Sequence, residues 1–316
     1  MIFSRFNLEN SNFNFDYPVN IYDLCFAWNW EHDRDFVQIL AKHCRDAGLR
    51  LLTVTSQNLE EVLAAFERRT ILFRVFWDRA SDNDEIFTRL QACCHSCATV
   101  FINPPEKARR AWNKATMHLE LITAGVQTPY TILIDPYTVR PELDYIDLTV
   151  IGSEFIIKPA HGGGGEGVVH NANSLQCVHA ARQEHPNDFY LLQARIQPVY
   201  LHNRPAWLRI ISCFGQHLMS WWNPSTHIYQ PLSEEDTTLI DCGKIHRIID
   251  TIARVCGLDL FSSEIVLSED GRYVVVDYIN DPIDLRLQSK ASDGVPDIYV
   301  EQIAAAVVAF LKRPAK

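Results

Sequence analysis

A glycine-rich stretch between two short apolar runs has the clearest chemistry in the chain. The first run, residues 155–157, ends in Lys158-Pro159, and the second begins at Val168-Val169. Because glycine has no Cβ, consecutive glycines let backbone N–H groups turn toward an anion. The pattern predicts a strand, a mobile loop and a second strand, with a polyphosphate held by Lys158 and the loop glycines, which are Gly162, Gly163, Gly164, Gly165 and Gly167.

The segments on either side of the glycines argue against three other interpretations of this stretch. A flexible linker would not lie between two apolar strands. A dinucleotide-binding turn must open a helix, whereas Val168-Val169 favours a strand, and a P-loop places its lysine after the glycines rather than before them. A purely structural hairpin is the remaining alternative to a phosphate-binding flap.

A second motif is acidic. Glu264 lies in an apolar run, a turn follows at residues 269–272, and Asp277 ends a run of valines. Two carboxylates that face each other across a hairpin, with an amide oxygen nearby, suit the hard ion Mg²⁺, which bridges ATP phosphates. Exposed hairpin acids are the alternative, but a buried carboxylate such as Asp277 needs a partner or a metal.

The segments before the glycine stretch alternate between strand and helix patterns. We predict strands at residues 21–28, 51–55, 71–77 and 99–102, with helices at 33–47, 59–68 and 84–93. This alternation indicates a small parallel sheet covered by helices. Ligands bind beyond the carboxyl ends of such strands, so Asp78-Arg79 is a candidate substrate contact, with a solvated loop pair as the alternative.

The later segments favour mixed α and β structure. We predict a helix from residue 105 to about 124, one from 240 to 256 and one from 298 to 311, with strands at 189–196 and 207–214. Arg209 lies in the second of these strands among apolar neighbours. A buried guanidinium needs an anionic partner, which is either a ligand or a structural ion pair.

Composition limits the class of protein. The 316 residues predict about two domains, and the net charge of −10 argues against nucleic-acid and membrane-surface partners. Nine scattered cysteines and no secretory leader indicate reduced thiols and a cytoplasmic protein. Cysteines 93, 94 and 97 are not matched by a second Cys or His pair at zinc-finger spacing. The sequence contains no run of 18 apolar residues, which a membrane-spanning helix would need.

The motifs, in their order along the chain, resemble the ATP-grasp enzymes. The resemblance implies that Lys114, on the helix before the glycine stretch, and Lys158 hold the ATP phosphates beneath the glycine flap. It implies adenine contacts along the hinge strand at Gln193, Ala194 and Ile196. The acid that binds the ribose in this family is not evident at residues 198–202.

The resemblance also implies the metal and catalytic residues. Glu264, Asp277 and Asn280 match the family's ligands for Mg²⁺ or Mn²⁺, and Arg209 matches the arginine near the acyl phosphate. In the family one residue separates the last acid from the asparagine, whereas two separate Asp277 from Asn280. Strand alternation would send them to opposite faces unless a bulge restores the register, and Asp281 or Asp284 is an alternative ligand.

Arg286 and Lys290, in the loop that follows, could bind a substrate carboxylate or phosphate, or be solvated. We include Arg286 with Arg209 as a candidate catalytic residue. The aromatic segment 220–230 could line the substrate pocket or pack between domains.

The resulting fold prediction is an α/β (α+β) ATP-grasp fold, in which a small N-terminal parallel α/β domain precedes two α+β subdomains that sandwich ATP. The predicted boundaries are an irregular extension at 1–19 and domains at 20–103, 104–195 and 196–316.

The implied activity is an ATP-dependent ligase that joins a small-molecule carboxylate to an amine through an acyl phosphate. Its implied cofactors are ATP and Mg²⁺ or Mn²⁺. We expect no nucleic-acid or membrane partner, and the protein could form a homodimer. Two alternative functions remain open. One is a small-molecule kinase, which would need no amine, and the other is a non-catalytic nucleotide-binding module, which would form no ADP.

Overall fold

The computed structural model describes residues 19–97, 99–143 and 146–314. Nearly all of the predicted N-terminal extension therefore lies outside the described residues. By their contacts the residues form two compact units, one with residues up to Ile102 and from Asp284 onward, the other Asn103–Ile283. Within the described ranges, no helix combines the length and the apolar character needed to cross a membrane.

The first unit begins with alternating strands and helices. They are β1 (Asn20–Trp28), α1 (Arg34–Asp46), β2 (Leu51–Val54), α2 (Leu59–Glu67), β3 (Ile71–Arg79), α3 (Thr88–Ser96) and β4 (Val100–Ile102). The strands are parallel in the order β2-β1-β3-β4. Successive side chains of a strand point to opposite faces, so Phe26 meets Phe36 of α1 while Cys25 packs with α2 and α3. The predicted parallel sheet is confirmed.

The second unit opens with two helices and a four-stranded antiparallel sheet. The elements are α4 (Pro105–Trp112), α5 (Lys114–Thr123), β5 (Thr131–Ile134), β6 (Phe155–Pro159), β7 (Val169–Ala172), α6 (Leu175–Glu184) and β8 (Tyr190–Ala194). The sheet order is β5-β8-β6-β7. The predicted strand, loop and strand around the glycines are therefore present.

The single helix predicted from residue 105 to about 124 is wrong, because the chain breaks at Asn113. Its ψ of 100° is extended, and its side-chain oxygen accepts a hydrogen bond of 2.8 Å from Thr116 N. Asparagine caps helices because its short polar side chain satisfies a free N–H of the first turn. The break lets Lys114 N donate to Ala160 O at 2.8 Å, beside the glycine loop.

A five-stranded antiparallel sheet follows in the same unit. Its region contains β9 (Tyr200–Leu201), β10 (Arg204–Pro205), β11 (Trp207–Cys213), β12 (Gln216–Asn223), β13 (Ile228–Pro231), α7 (Asp236–Leu239), α8 (Cys242–Cys256), β14 (Leu260–Leu267) and β15 (Tyr273–Asn280). The sheet order is β13-β12-β11-β14-β15. One face buries Leu208 and Ile265 against Ile245 and Ile249 of α8. Strand alternation therefore turns Arg209 and Glu264 to the other face.

The last helix, α9 (Asp297–Leu311), belongs to the first unit, where it packs against α1. Residues 284–316 are thus grouped differently from the sequence-based boundary, which placed them with residues 196–283. Apolar residues of α9, such as Val300 and Ile303, are fully buried. The packing of this helix, rather than its position in the sequence, therefore assigns it to the first unit. The division of the second unit into subdomains at residue 195 stays a prediction.

Candidate nucleotide and metal site

The glycine loop connects β6 and β7 in a backbone conformation that requires glycine. Gly162, Gly164, Gly165 and Gly167 have φ values of 103°, 60°, 82° and 67°. L-residues with a Cβ rarely adopt such angles. At Gly167 a Cβ would also lie 3.1 Å from Pro159 Cγ. The loop therefore presents backbone rather than side chains along its length.

Two lysines converge at the base of this loop. Lys158 Nζ donates to Val276 O at 2.8 Å, and Lys114 Nζ donates to Gly162 O. Burial lowers the pKa of Lys114, with Asp277 acting in the opposite direction and Lys158 in the same direction. The structure thus brings both predicted phosphate-binding lysines, the loop and the acidic hairpin together in the second unit.

The acidic hairpin carries irregularities on both sides of Asp277. Strands β14 and β15 pair Glu264 with Asp277, Ile265 with Val275 and Ser262 with Asn280, so β15 has one extra residue in each interval. These bulges rotate the strand locally. Asn280 Nδ2 donates to Asp277 Oδ2 at 2.9 Å. The bulge that the sequence required to bring Asn280 beside Asp277 is present.

Glu264 is buried and held by two donors from β11. Arg209 Nη1 donates to its Oε1 at 3.0 Å, and Trp207 Nε1 donates to its Oε2 at 2.9 Å. Burial raises the pKa of Glu264; Arg209 opposes this effect, and the facing Asp277 adds to it. The anionic partner expected for Arg209 is therefore Glu264, and its predicted catalytic role stays a prediction.

Arg209 also lies against an aromatic wall. Its guanidinium carbon lies 4.6 Å from the ring centroid of Trp222 and 5.8 Å from that of Tyr229. The aromatic segment 220–230 thus packs on Arg209 within the second unit. The cation–π contacts and the ion pair with Glu264 therefore hold the same guanidinium from two sides.

The alternative ligands Asp281 and Asp284 are engaged elsewhere. Asp281 Oδ1 accepts from Asn103 Nδ2 at 2.7 Å. Asp284 lies in the first unit and accepts from Arg286 Nε at 2.8 Å. Of the three candidates, Asn280 is the one whose contact with Asp277 the structure shows.

The donor atoms of this site fit a hard divalent cation. Glu264 and Asp277 supply carboxylate oxygens and Asn280 supplies an amide oxygen, which are ligand types that Mg²⁺ prefers. In the described part of the chain, no group of three or more His, Cys, Asp or Glu residues could hold a metal. A magnesium ion here would therefore need oxygen atoms from water or phosphate as well, as Mg²⁺ sites usually have.

Gln193 and Ala194 of the predicted hinge strand form hydrogen bonds with other parts of the protein. Gln193 is buried, and its Nε2 donates to Tyr278 Oη at 2.8 Å and to Thr131 Oγ1 at 3.2 Å. Ala194 N donates to Tyr130 O at 2.8 Å, so this N–H already has a hydrogen-bond acceptor within the protein. The Gln193 side chain and the Ala194 N–H are therefore engaged within the protein, and the predicted adenine contacts along the backbone of the hinge strand stay predictions.

The N–H of Ile196 differs from that of Ala194. Among the residues that the structure describes, it has no hydrogen-bond acceptor. Ile196 packs beside Trp207 against three buried valines, Val266, Val274 and Val276. Sequence reasoning missed this apolar patch, although alternate residues of adjacent strands would have indicated it. A free N–H beside an apolar surface is what the flat, polar-edged adenine ring requires.

The candidates in the first unit are held by structural ion pairs. Arg79 is 5% exposed, and its Nε and Nη2 donate to Asp33 at 3.0 and 2.8 Å. Arg286 Nη2 donates to Asp284 at 2.6 Å and to Asp293 at 2.8 Å, and Lys290 Nζ donates to Asp35 at 2.6 Å. Arg79 is thus buried at the end of β3 rather than solvated in a loop, and the predicted substrate roles of Arg79, Arg286 and Lys290 stay predictions.

Comparisons with known proteins identify the fold. No protein-family model matches the chain, and no curated protein matches its sequence. A D-cycloserine synthetase, DcsG, is 19% identical, with a TM-score of 0.57 and 93% of this chain and 100% of that chain covered. A RimK-domain ATP-grasp protein from Sphaerobacter thermophilus is 18% identical, with a TM-score of 0.61 and 92% and 99% covered.

A third solved structure is the ATP-grasp ligase PsnB complexed with the precursor peptide PsnA2 and AMPPNP. It is 15% identical, with a TM-score of 0.62 and 92% of this chain and 98% of that chain covered. The agreement extends over nearly the whole length of each protein. The chain therefore has an ATP-grasp fold, as the order of its motifs predicted.

Proposed function

We propose that the chain is an ATP-dependent ligase that joins a carboxylate to an amine and releases ADP and phosphate. The observation that carries the proposal is the contact between Lys158 and the carbonyl of Val276, directly beside Asp277. This contact supports the proposal because Lys158, a cation suited to phosphate, lies close to Asp277, a carboxylate suited to a metal. The structural neighbours include a synthetase and a ligase complexed with AMPPNP, and another structure of that ligase contains Mg and ADP.

In this proposal the adenine ring lies on the apolar patch formed by Ile196, Trp207 and the three valines, and the N–H of Ile196 donates to the ring's edge. Lys114, Lys158 and the backbone N–H groups of the glycine loop hold the phosphates. Release of the two carbonyl contacts frees both ammonium groups for phosphate oxygens, which form stronger, charge-assisted hydrogen bonds.

Glu264, Asp277 and Asn280 would hold Mg²⁺. The ion would neutralise charge on the phosphates during phosphoryl transfer. Because Glu264 and Asp277 face each other in a pair with like charges, a bound cation would also offset their repulsion. Arg209 orients Glu264 and opposes the rise in its pKa that burial causes.

The reaction has two steps. An oxygen of the substrate carboxylate attacks the γ-phosphorus, the bond to the β-phosphate oxygen breaks, and ADP leaves with that electron pair. The amine then attacks the acyl carbon, and the carbon–oxygen bond to phosphate breaks. Closure of the glycine loop excludes water from the acyl phosphate, which would otherwise hydrolyse.

The test measures ADP and inorganic phosphate with a panel of carboxylates and amines in the presence of Mg²⁺. We expect equal amounts of both products, and only when an acid and an amine are present together. Glu264→Gln and Asp277→Asn should each lower the rate by more than about 100-fold, since loss of a group outside the ligand set already costs 10- to 100-fold. Glu269→Gln, on the exposed turn of the same hairpin, is the matched control.

Two results would contradict the proposal. Formation of ADP without an amine, together with a stable phosphorylated product, would indicate a kinase. Binding of ATP without ADP formation across the panel would indicate a non-catalytic module.

A further inference from the structure

A cavity of about 580 Å³ opens in the second unit beside the base of the glycine loop. It lies at the end of β6 and at the start of β8, and Lys114 Nζ donates to the carbonyl of Gly162, one of its lining residues. Its lining residues are Asn113, His161, Gly162, Glu166, Glu184, His185, Pro186, Asn187, Asp188 and Phe189. Its two histidines and its three carboxylates are not part of the proposed nucleotide and metal site.

His161 is fixed in this cavity by a carboxylate. Its Nδ1 lies 2.8 Å from Asp188 Oδ1, and its backbone N donates to Asp188 Oδ2 at 2.8 Å. Asp188 Oδ1 also accepts from Phe189 N at 2.9 Å. Three contacts therefore hold the Asp188 side chain, while the imidazole of His161 remains 60% exposed. This is the arrangement of a base oriented by a third group.

The neighbouring asparagine identifies the tautomer. Asn113 Oδ1 accepts the capping hydrogen bond from Thr116 N, so its Nδ2 is the atom that faces His161 Nε2 at 3.2 Å. An amide Nδ2 donates, and Nε2 must then accept. The proton of the neutral imidazole therefore lies on Nδ1, directed at Asp188. The unprotonated Nε2 is the basic atom, and its contact with Asn113 is long enough for a substrate to replace.

The charge of the cavity selects its ligand. Glu166, Glu184 and Asp188 contribute carboxylates, and no lysine or arginine is among the described residues that line it. Lys114 approaches from α5 but donates to Gly162 O. His185 is the second histidine of the lining. A negatively charged cavity concentrates cations, and an alkylammonium is the charged form of the amine that a carboxylate–amine ligase consumes.

We infer that this cavity takes the amine substrate and that His161 is the general base that deprotonates it. This inference rests on the proposed ligase function. Nε2 takes one proton from the ammonium group, and Asp188 stabilises the imidazolium that forms. The amine lone pair then bonds to the acyl carbon, the carbon–oxygen bond breaks with its electrons on the phosphate, and the phosphate takes the second nitrogen proton.

Hydroxylamine provides the test, because it is uncharged near neutral pH and attacks acyl phosphates without a base. With a carboxylate that supports ADP formation, wild-type protein should form a hydroxamate with hydroxylamine and an amide with an alkylamine. His161→Gln should lower amide formation by about 100-fold or more, within the range for lost acid–base catalysis. Hydroxamate formation should change by less than about threefold, since activation of the acid is intact.

The controls separate this inference from the function on which it rests. His170→Gln, an exposed histidine on β7, should leave both products unchanged. If wild-type protein forms neither product, the proposed ligase function fails. If His161→Gln lowers both products equally, or lowers neither, the ligase stands and the assignment of His161 as the base is overturned.

Discussion

At the scale of single residues, the site depends on how charges are paired. Glu264 and Asp277 face each other, and their repulsion contributes to the raised pKa of Glu264. Arg209 and Trp207 hold Glu264, whereas Asn280 donates to Asp277 from one side only. Asp277 therefore keeps acceptor capacity for a cation. Because Nδ2 of Asn280 faces Asp277, the amide must rotate for its oxygen to bind a cation beside that carboxylate.

This geometry predicts which residue completes the metal site. Asn280→Ala should weaken Mg²⁺ binding, measured as the Mg²⁺ dependence of nucleotide affinity, by about 10- to 100-fold. Asp281→Asn should change it little, because asparagine can still accept the hydrogen bond from Asn103. An equal or larger effect of Asp281→Asn would transfer the ligand role to Asp281.

At the scale of elements, irregularities position the functional groups. The first bulge of β15 leaves the carbonyl of Val276 as the acceptor for Lys158, and the second brings Asn280 beside Asp277. The break at Asn113 starts α5 at Lys114 and ties its backbone to Ala160. A regular strand and an unbroken helix would direct these side chains elsewhere, so the interruptions belong to the site.

The glycine loop offers a comparison between two of its own positions. Gly167→Ala should weaken binding of AMPPNP by about tenfold or more, because a positive φ costs an L-residue about 1–2 kcal/mol and the new Cβ meets Pro159 at 3.1 Å. Gly163→Ala is the matched control, since Gly163 has no positive φ and no atom lies within 4 Å of the place that its Cβ would take. Equal losses at both positions would show that this loop conformation does not bind the nucleotide.

At the scale of the molecule, a buried network joins the elements of the second unit. Tyr278 Oη lies 2.7 Å from His118 Nδ1 and accepts from Gln193 at 2.8 Å. It therefore connects α5, β15 and β8, each of which contributes to the candidate site. Burial raises the pKa of Tyr278 and lowers that of His118, so both groups are neutral near pH 7. The three elements are thus joined through one buried hydroxyl.

Nucleotide binding should consequently stabilise the protein against heat. AMPPNP with Mg²⁺ at 100 times its Kd should add about 2.7 kcal/mol, which corresponds to roughly 5–10 °C in Tm for a unit of this size. Differential scanning fluorimetry measures the shift. Excess EDTA should remove most of it, and Mg²⁺ alone should produce little. A shift that EDTA leaves intact would show that the two carboxylates do not hold the metal on which binding depends.

The sequence by itself determined the features that depend on short-range contacts. Glu264 and Asp277 lie on two strands joined by one short turn, so the sequence is sufficient to assign them to one hairpin. The bulge between Val275 and Asp277 then sets their pairing, since the regular register would pair Glu264 with Val276. The glycines, the flanking strands and the alternation of the first unit are likewise local patterns. Their order along the chain was sufficient to predict the ATP-grasp fold.

Only the tertiary structure decided which distant groups meet. Lys158 and Val276 are 118 residues apart in the chain, and no local pattern indicates that Gln193 supports Tyr278 or that Asp188 orients His161. The grouping of residues 284–316 with the first unit depends on the packing of α9. Such contacts follow from burial and from the need of every buried polar group for a partner, and both are properties of the folded molecule.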